Sequence, residues 1–471
     1  MVLARFARAA SFYSIGAFVP AAANFLLLPV FAVYLSPADF GAYEKYVMIT
    51  TLVIAISRLG LPGSITRFYI DFEKERSKKS FIKTILVSTF LLSIVFSLLT
   101  FLIFWIFYDA SPRAYDFMFF LALSLAGVCV KSFYEVLVKV YQITEKVKQI
   151  TIFSLVLFSI NAITKFILVI QFDYGFEALV YAELLTNAAS LLLAICFLKN
   201  LAGGSISQKY LNASLVYGFP VSIHHIGSWL VSYSSALLVA YCFDEYSLGI
   251  FAIAIKVFLP GSFLIDAMAN AYSPVYYKLR QKGHSAVKEI EVLIHGFISM
   301  SLVGCAAMIW GTKLCVYYLF NEEYLPILGF ISFICLSMFF NGLYRITIAE
   351  AFYLKKTSIV PKITLITGVI ALSFGYLLIS NFGLTGGGIS ILVSSVVQYL
   401  MVVFYMKDFQ IPPISKTSLT LMSMLFLTVF AEIVAANVFD LDVLVIIILQ
   451  ASASLAYLIY FIITMPRLGK S

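Results

Sequence analysis

Apolar stretches of about twenty residues follow one another along the whole chain. They fall at 10–34, 44–66, 83–107, 116–138, 150–171, 177–198, 217–242, 247–270, 291–312, 325–347, 361–380, 385–406, 418–437 and 443–464. Each is long enough for a helix to cross the ~30 Å hydrocarbon core of a bilayer at ~1.5 Å per residue. Inside hydrocarbon every backbone N–H and C=O must be satisfied internally, which leaves helices or closed barrels. Runs of this length select helices. The expected fold is an all-α polytopic membrane protein of about fourteen transmembrane helices. Composition agrees: 62% of the 471 residues are hydrophobic and 12% are charged, where a soluble chain carries roughly 25% charged residues. The opening MVLARFARAASFYSIGAF has no small-residue cleavage site followed by a polar segment, so it reads as a retained first helix.

The connections fix an expected orientation. Those on the even side carry the cations: Arg67, Lys74, Arg76, Lys78 and Lys79 after the second span, and Lys278, Arg280, Lys282 and Lys288 after the eighth. Arg345, Lys355 and Lys356 continue the series after the tenth. The odd connections hold only Lys45, Arg113 and Lys313 among cations and are rich in acids such as Asp39, Asp109, Asp173, Asp244 and Glu245. By the positive-inside rule both termini are cytoplasmic, and Trp105, Tyr108, Trp310 and Tyr317 mark the outer interface. The net charge of +8 is thereby assigned to topology, so no nucleic-acid partner is expected. No connection is long enough to hold a soluble catalytic domain. None of the six cysteines forms a CxxC pair, and the adjacent His224 and His225 cannot face the same way on a helix, so no disulfide framework, metal site or cofactor is expected.

An internal repeat is visible. VYLSPADFGAY, ending at Tyr43, resembles YCFDEYSLGIF, ending at Phe251, at an offset of 208. FDYGFEALVYAELL around Gly175 resembles FGLTGGGISILVSS around Gly386, at an offset of 211. Six spans per half make the halves parallel repeats about an axis along the membrane normal. The expected domains are 1–203 and 204–407, each a six-helix lobe, with 408–471 as an extra two-helix hairpin.

Several charges lie inside apolar spans, where each costs ~2.5–3.5 kcal/mol on insertion scales and should face protein or water. Arg58 sits in RLGLPGSITRFY with Gly60, Pro62 and Gly63, and Arg67 closes that segment. Either Arg58 is a fixed positive charge on a cavity wall, or it snorkels to the headgroups. Lys131 and Glu135 are four apart and expected to pair on one helix face. Glu183 and Asn187 share that spacing and stand open between a helix-to-helix hydrogen bond and a cation site. Lys165 is expected to snorkel, and Glu432 offers no more than a polar contact with the last span. Position 58 plus the offset of 208 is Asp266, so Arg58 and Asp266 are expected to approach as a gate pair. Lys256, about 15 Å away along the same helix as Asp266, offers a deeper cation.

The chain resembles the polysaccharide-biosynthesis or O-antigen translocase family. These are lipid-linked oligosaccharide flippases related to the multidrug and toxin extruders, in the multidrug/oligosaccharidyl-lipid/polysaccharide exporter superfamily. The resemblance is carried by FARAASFYSIGAFVPAAANFLLLPVFAVYLSPADFGAY, RLGLPGSITRFY, YQITEKVKQI, LVYGFPVSI and NAYSPVYYKL. It departs midway along the seventh span, where an acidic–basic pair common in the family is replaced by Ser235 and Ala236. The resemblance implies two six-helix lobes around a central cleft, with Arg58, Lys256 and Arg67 as cleft cations for a polyprenyl-diphosphate-linked glycan. It also implies a lipid tail left in the bilayer, alternating access by rocking lobes, and a place near polysaccharide polymerase machinery. A multidrug antiporter shares the fold, but its first span often carries an acid, and here no Asp or Glu precedes Asp39. A glycan polymerase or ligase would need a long charged outer loop, which is absent. The expectation is a flippase for lipopolysaccharide-type surface glycan and not an enzyme, with Lys131, Glu135 and Glu183 as ion-coupling or structural residues.

Overall fold

Ser36 and Asp39 decide where the first long helix begins. The computed structural model describes residues 19–107, 112–356, 358–406, 422–423, 425–431 and 443–468, and every regular element among them is helical. After α1 (Val19–Tyr34), the Ser36 hydroxyl accepts from the Asp39 amide while the Asp39 carboxylate accepts from the Ser36 amide at 3.0 Å. This reciprocal cap, with Pro37 in the first turn, starts α2 (Pro37–Ser57). The same carboxylate accepts from the Phe176 amide at 3.1 Å, tying the start of α2 to the start of α7 (Phe176–Leu198).

Leu59 and Gly60 take positive φ (44° and 67°), and the chain restarts as α3 (Leu61–Phe68), bent by 47° from α2. Gly60 is required there twice over. Its φ is left-handed, and a Cβ would lie 2.5 Å from the Gly218 carbonyl oxygen. Gly218 belongs to α8 (Gln208–Cys242), and a Cβ on it would lie 2.2 Å from the Leu59 carbonyl oxygen. Two segments quoted above, RLGLPGS and LVYGFPVSI, therefore meet backbone to backbone at this point.

Contacts divide the chain into two units, Met1–Trp229 and Leu230–Ser471, with the division inside α8. The first unit also holds α4 (Glu75–Phe107), α5 (Pro112–Ile143) and α6 (Val147–Phe166), which runs on through a π turn to Gln171. It has two apolar clusters. One joins Leu61, Ile65, Phe81, Ile85, Leu137 and Leu198. The other joins Tyr46, Val53, Leu121, Leu125 and Val180. Arg58, Lys131, Glu135 and Glu183 lie between members of these two clusters in sequence.

The second unit contains α9 (Glu245–Gln281), α10 (Val287–Leu319), α11 (Ile331–Tyr353), α12 (Ile359–Tyr405) and α13 (Val443–Leu468). Its centre is α11, the most buried of the spanning helices, whereas α4 of the first unit is mostly exposed along its apolar length. α12 is 47 residues long, about twice what a bilayer needs, and breaks at Gly383 (φ 60°, ψ −139°), between the two spans expected there. α13 packs on α10, where Gln450 and Ser454 meet Ala306 and Ile309.

Helices α1 to α12 overlie the first twelve expected spans and α13 the last. Eight described helices are long and apolar enough to cross a membrane, or nine if the bent α2–α3 pair is one span. α8 is not among them, because its first half carries HHIGSW and other polar residues. The repeat is explicit in the helix ends. α2 starts at Pro37 and α9 at Glu245, the offset of 208. α5 ends at Glu145 (φ 56°) with the Lys146 amide donating to the Tyr141 carbonyl at 2.9 Å. α11 ends at Lys355 (φ 59°) with the Lys356 amide donating to the Ala351 carbonyl at 2.8 Å, an offset of 210 in the same motif.

Candidate functional site

Arg58 is the C-cap of α2 and is 6% exposed. Its guanidinium is enclosed by the first unit. Nε donates to Glu135 Oε2 at 2.6 Å, one terminal nitrogen donates to the Ser93 hydroxyl, and the other to the Val128 carbonyl at 3.1 Å and Glu135 Oε1 at 3.4 Å. The side chain neither snorkels nor presents a bare charge to an open wall. A guanidinium supplies several donors in a rigid fork, and α4 and α5 supply the acceptors.

This arrangement changes the partner expected for Lys131. Lys131 and Glu135 do share a face of α5, but Glu135 is taken by Arg58, which reaches it from another helix with two donors. A bidentate charge-assisted contact outcompetes an i,i+4 pair worth ~0.2–0.5 kcal/mol. Lys131 instead faces Glu183 of α7 at 3.9 Å, a distance too long for a hydrogen bond, with both side chains about two-fifths exposed. The two line a cavity of about 220 Å³ between α2, α5 and α7, together with Tyr43, Thr50, Thr51 and Asn187.

In the second unit Asp266 of α9 pairs with Arg345 of α11 at 2.5 Å, and both side chains are nearly half exposed. The expected gate partners Arg58 and Asp266 thus each hold a partner inside their own unit. Lys256 is half-buried on α9, and Lys165 is half-buried in the last turn of α6. Arg67 is exposed, pairs with Asp71 at 3.3 Å and lies over the Phe68 ring. Glu432 lies outside the described residues.

Glu350 was not anticipated. It is 1% exposed on α11, and accepts from Tyr276 Oη at 2.6 Å and from Arg280 Nη2 at 2.7 Å. Arg280 also lies over the Tyr353 ring. The acid falls three residues past the expected end of its span, outside the set of intramembrane charges. Its signal is the regular spacing Tyr276-x-x-x-Arg280 at the end of α9. All six cysteines are free thiols, and among the described residues no three His, Cys, Asp or Glu side chains gather where they could hold a metal ion.

The family model described as polysaccharide biosynthesis protein matches residues 30–328, and the chain belongs to that family. No curated protein matches the sequence. Among solved structures, the lipid II flippase MurJ in its inward closed conformation is similar over 94% of this chain and 97% of its own, with 15% identity and a TM-score of 0.72. A MATE-family multidrug resistance transporter of the MOP superfamily, inward-facing, is similar over 86% of this chain and 100% of its own, with 14% identity and a TM-score of 0.63. A MOP-superfamily transporter from Pyrococcus furiosus is similar over 86% of this chain and 95% of its own, with 15% identity and a TM-score of 0.60. The fold is the one these membrane transporters share, and the family and its structural neighbours are not enzymes.

Proposed function

We propose that this chain flips a polyprenyl-diphosphate-linked oligosaccharide from the cytoplasmic to the outer leaflet of the cell membrane for surface-polysaccharide assembly. The observation that carries the reading is the match to a polysaccharide-biosynthesis family over residues 30–328, on a chain with a transporter fold. A glycan on two phosphates cannot cross hydrocarbon unaided. A protein that moves it must hold the diphosphate with cations, shield the sugars and leave the lipid tail in the bilayer. Lys256 and Arg67 retain the exposure such contact needs, whereas Arg58 is committed to Glu135 and supports the helices around them. Alternating access of the two repeat halves supplies the movement. Polymerising enzymes would consume the delivered glycan. In this reading Arg58 and Asp266 meet only in a state where Glu135 and Arg345 have released them. Reversing both charges should then retain more transport than either single reversal, and equal loss in all three excludes the gate.

The test uses purified protein in liposomes carrying a fluorescent short-chain prenyl-diphosphate saccharide and an impermeant quencher. Protected label should become reachable quickly with wild type and about tenfold more slowly with Lys256→Ala, equivalent to ~1.4 kcal/mol. No movement of that lipid, together with efflux of an organic cation against an ion gradient, would move the assignment to an antiporter of the same fold.

A further inference from the structure

The cavity between α2, α5 and α7 is lined by residues of the first unit. Its volume of about 220 Å³ leaves room for a small polar molecule as well as for water. Four kinds of polar group converge there. Lys131 and Glu183 stand 3.9 Å apart with their hydrogen-bonding capacity unspent on each other. Asn187, one turn from Glu183, is 7% exposed, lines the cavity and makes no side-chain hydrogen bond to any described residue. Its amide is therefore available to a ligand that presents both donors and acceptors. The Thr51 hydroxyl completes the set, accepting from Trp229 Nε1 at 3.1 Å.

The mixture of charges narrows the ligand. A metal cation at Glu183 would meet the Lys131 ammonium at the same distance, and an anion at Lys131 would meet the Glu183 carboxylate. A neutral polyol satisfies both at once, because a hydroxyl donates to the carboxylate and accepts from the ammonium. The repeat sharpens the point. The second-unit position equivalent to Lys131 is Asn341, whose amide is already bonded to the Ser395 hydroxyl at 3.1 Å. Asn341 thus spends its amide within the second unit, whereas Lys131 makes no hydrogen bond to Glu183.

We propose that the Lys131–Glu183–Asn187 cavity is a saccharide subsite that binds the hydroxyl groups of one sugar ring. The proposal deepens the flippase reading and rests on it for the origin of the sugar: a ring of the glycan head group held inside the first unit during transit. Lys131, Glu183 and Asn187 are the binding groups.

Trp229 is a built-in reporter, and the chain has only two other tryptophans, Trp105 and Trp310. The experiment is a fluorescence titration of full-length protein in detergent, carrying Trp105→Phe and Trp310→Phe, with glucose, galactose and N-acetylglucosamine. Glycerol and sodium chloride are the controls. At least one sugar should shift Trp229 emission saturably. Glu183→Gln and Asn187→Leu should each weaken that binding about tenfold, or ~1.4 kcal/mol. Both variants should elute and melt as folded protein, and Asn187→Gln serves as the conservative check should Asn187→Leu not fold. A response to sodium ions with none to sugars overturns the proposal and makes the site an ion-coupling one. An equal sugar response in wild type and both variants overturns it too, by placing the sugar elsewhere. Saturable sugar binding without flipping of the prenyl-diphosphate lipid removes the flippase reading and leaves the subsite standing, so the two failures are distinguishable.

Discussion

The first repeat holds Arg58 against Glu135, and the second holds Asp266 against Arg345. The positions correspond: 58 to 266 by the offset that relates α2 to α9, and 135 to 345 by the offset that relates the ends of α5 and α11. The charges are exchanged. The helix caps do the same. Ser36 caps α2 with Asp39 three residues on, while Asp244 caps α9 with Ser247 three residues on. What each half preserves is a pair in a place, and either residue order meets the physical need. The pairs differ in setting. Arg58 is sealed and also donates to Ser93 and Val128, whereas both members of the second pair stay nearly half exposed. The first pair is therefore the tighter contact and the second the one that opens at lower cost.

The largest expected effect tests that contrast directly. Arg58→Ala leaves Glu135, whose side chain is 27% exposed, and the Val128 carbonyl without their donor and should cost ~2–3 kcal/mol, seen as a large drop in melting temperature in detergent. Arg345→Ala removes an exposed pair and should cost ~1 kcal/mol or less. Equal destabilisation by the two would break the comparison.

Next comes the elbow that only the first half has. α2 stops at Leu59 and Gly60, whereas α9 runs unbroken for 37 residues through the equivalent stretch. Gly218→Ala puts a methyl into the Leu59 carbonyl, backbone against backbone, and should cost ~2 kcal/mol by thermal unfolding. A neutral result would show that α8 is free to shift there.

Reversing each pair in full is a finer probe. Asp266→Arg with Arg345→Asp should restore stability close to wild type. Arg58→Glu with Glu135→Arg should recover less, by ~1–3 kcal/mol, because the Val128 carbonyl loses its donor. Full recovery in the first unit would mean that Ser93 and Val128 contribute nothing to the lock.

The helical class, the repeat and the placement of most spans were legible in the sequence, because apolar length and turn chemistry are local signals. Partner choice was not. The repeat offset pairs Arg58 with Asp266, but an offset says which residues correspond and not which ones touch. Glu135 was assigned to Lys131 by spacing on α5, yet a bidentate donor from α2 outranks a neighbour on the same helix. Arg345 was counted as a connection charge and Glu350 was passed over, although α11 runs on to Tyr353, six residues past the apolar stretch expected there. The Lys131–Glu183 cavity needed three helices brought together, and no single segment encodes it.

The smallest expected effect concerns the exchanged caps. Asp244 accepts from the Ser247 amide at 2.9 Å, and hydrogen bonds from the Ser247 side chain and backbone hold its carboxyl below the usual carboxylate range. Because the folded value is the lower one, the cap's stability contribution is present above the ordinary carboxylate pKa of ~3.9. It is lost as pH falls through the folded value. Asp244→Ala should therefore lower stability by ~1 kcal/mol at pH 7, and the gap from wild type should close below about pH 4. Ser36→Ala should cost a similar amount at pH 7. The cap of α2 also holds a carboxylate, Asp39, so the Asp244 gap reads only whether Asp244 itself holds the first turn of α9. Melting curves of both variants from pH 7 to pH 3 decide it. An Asp244→Ala gap that stays constant across that range would mean that the carboxylate is not the group holding the first turn of α9.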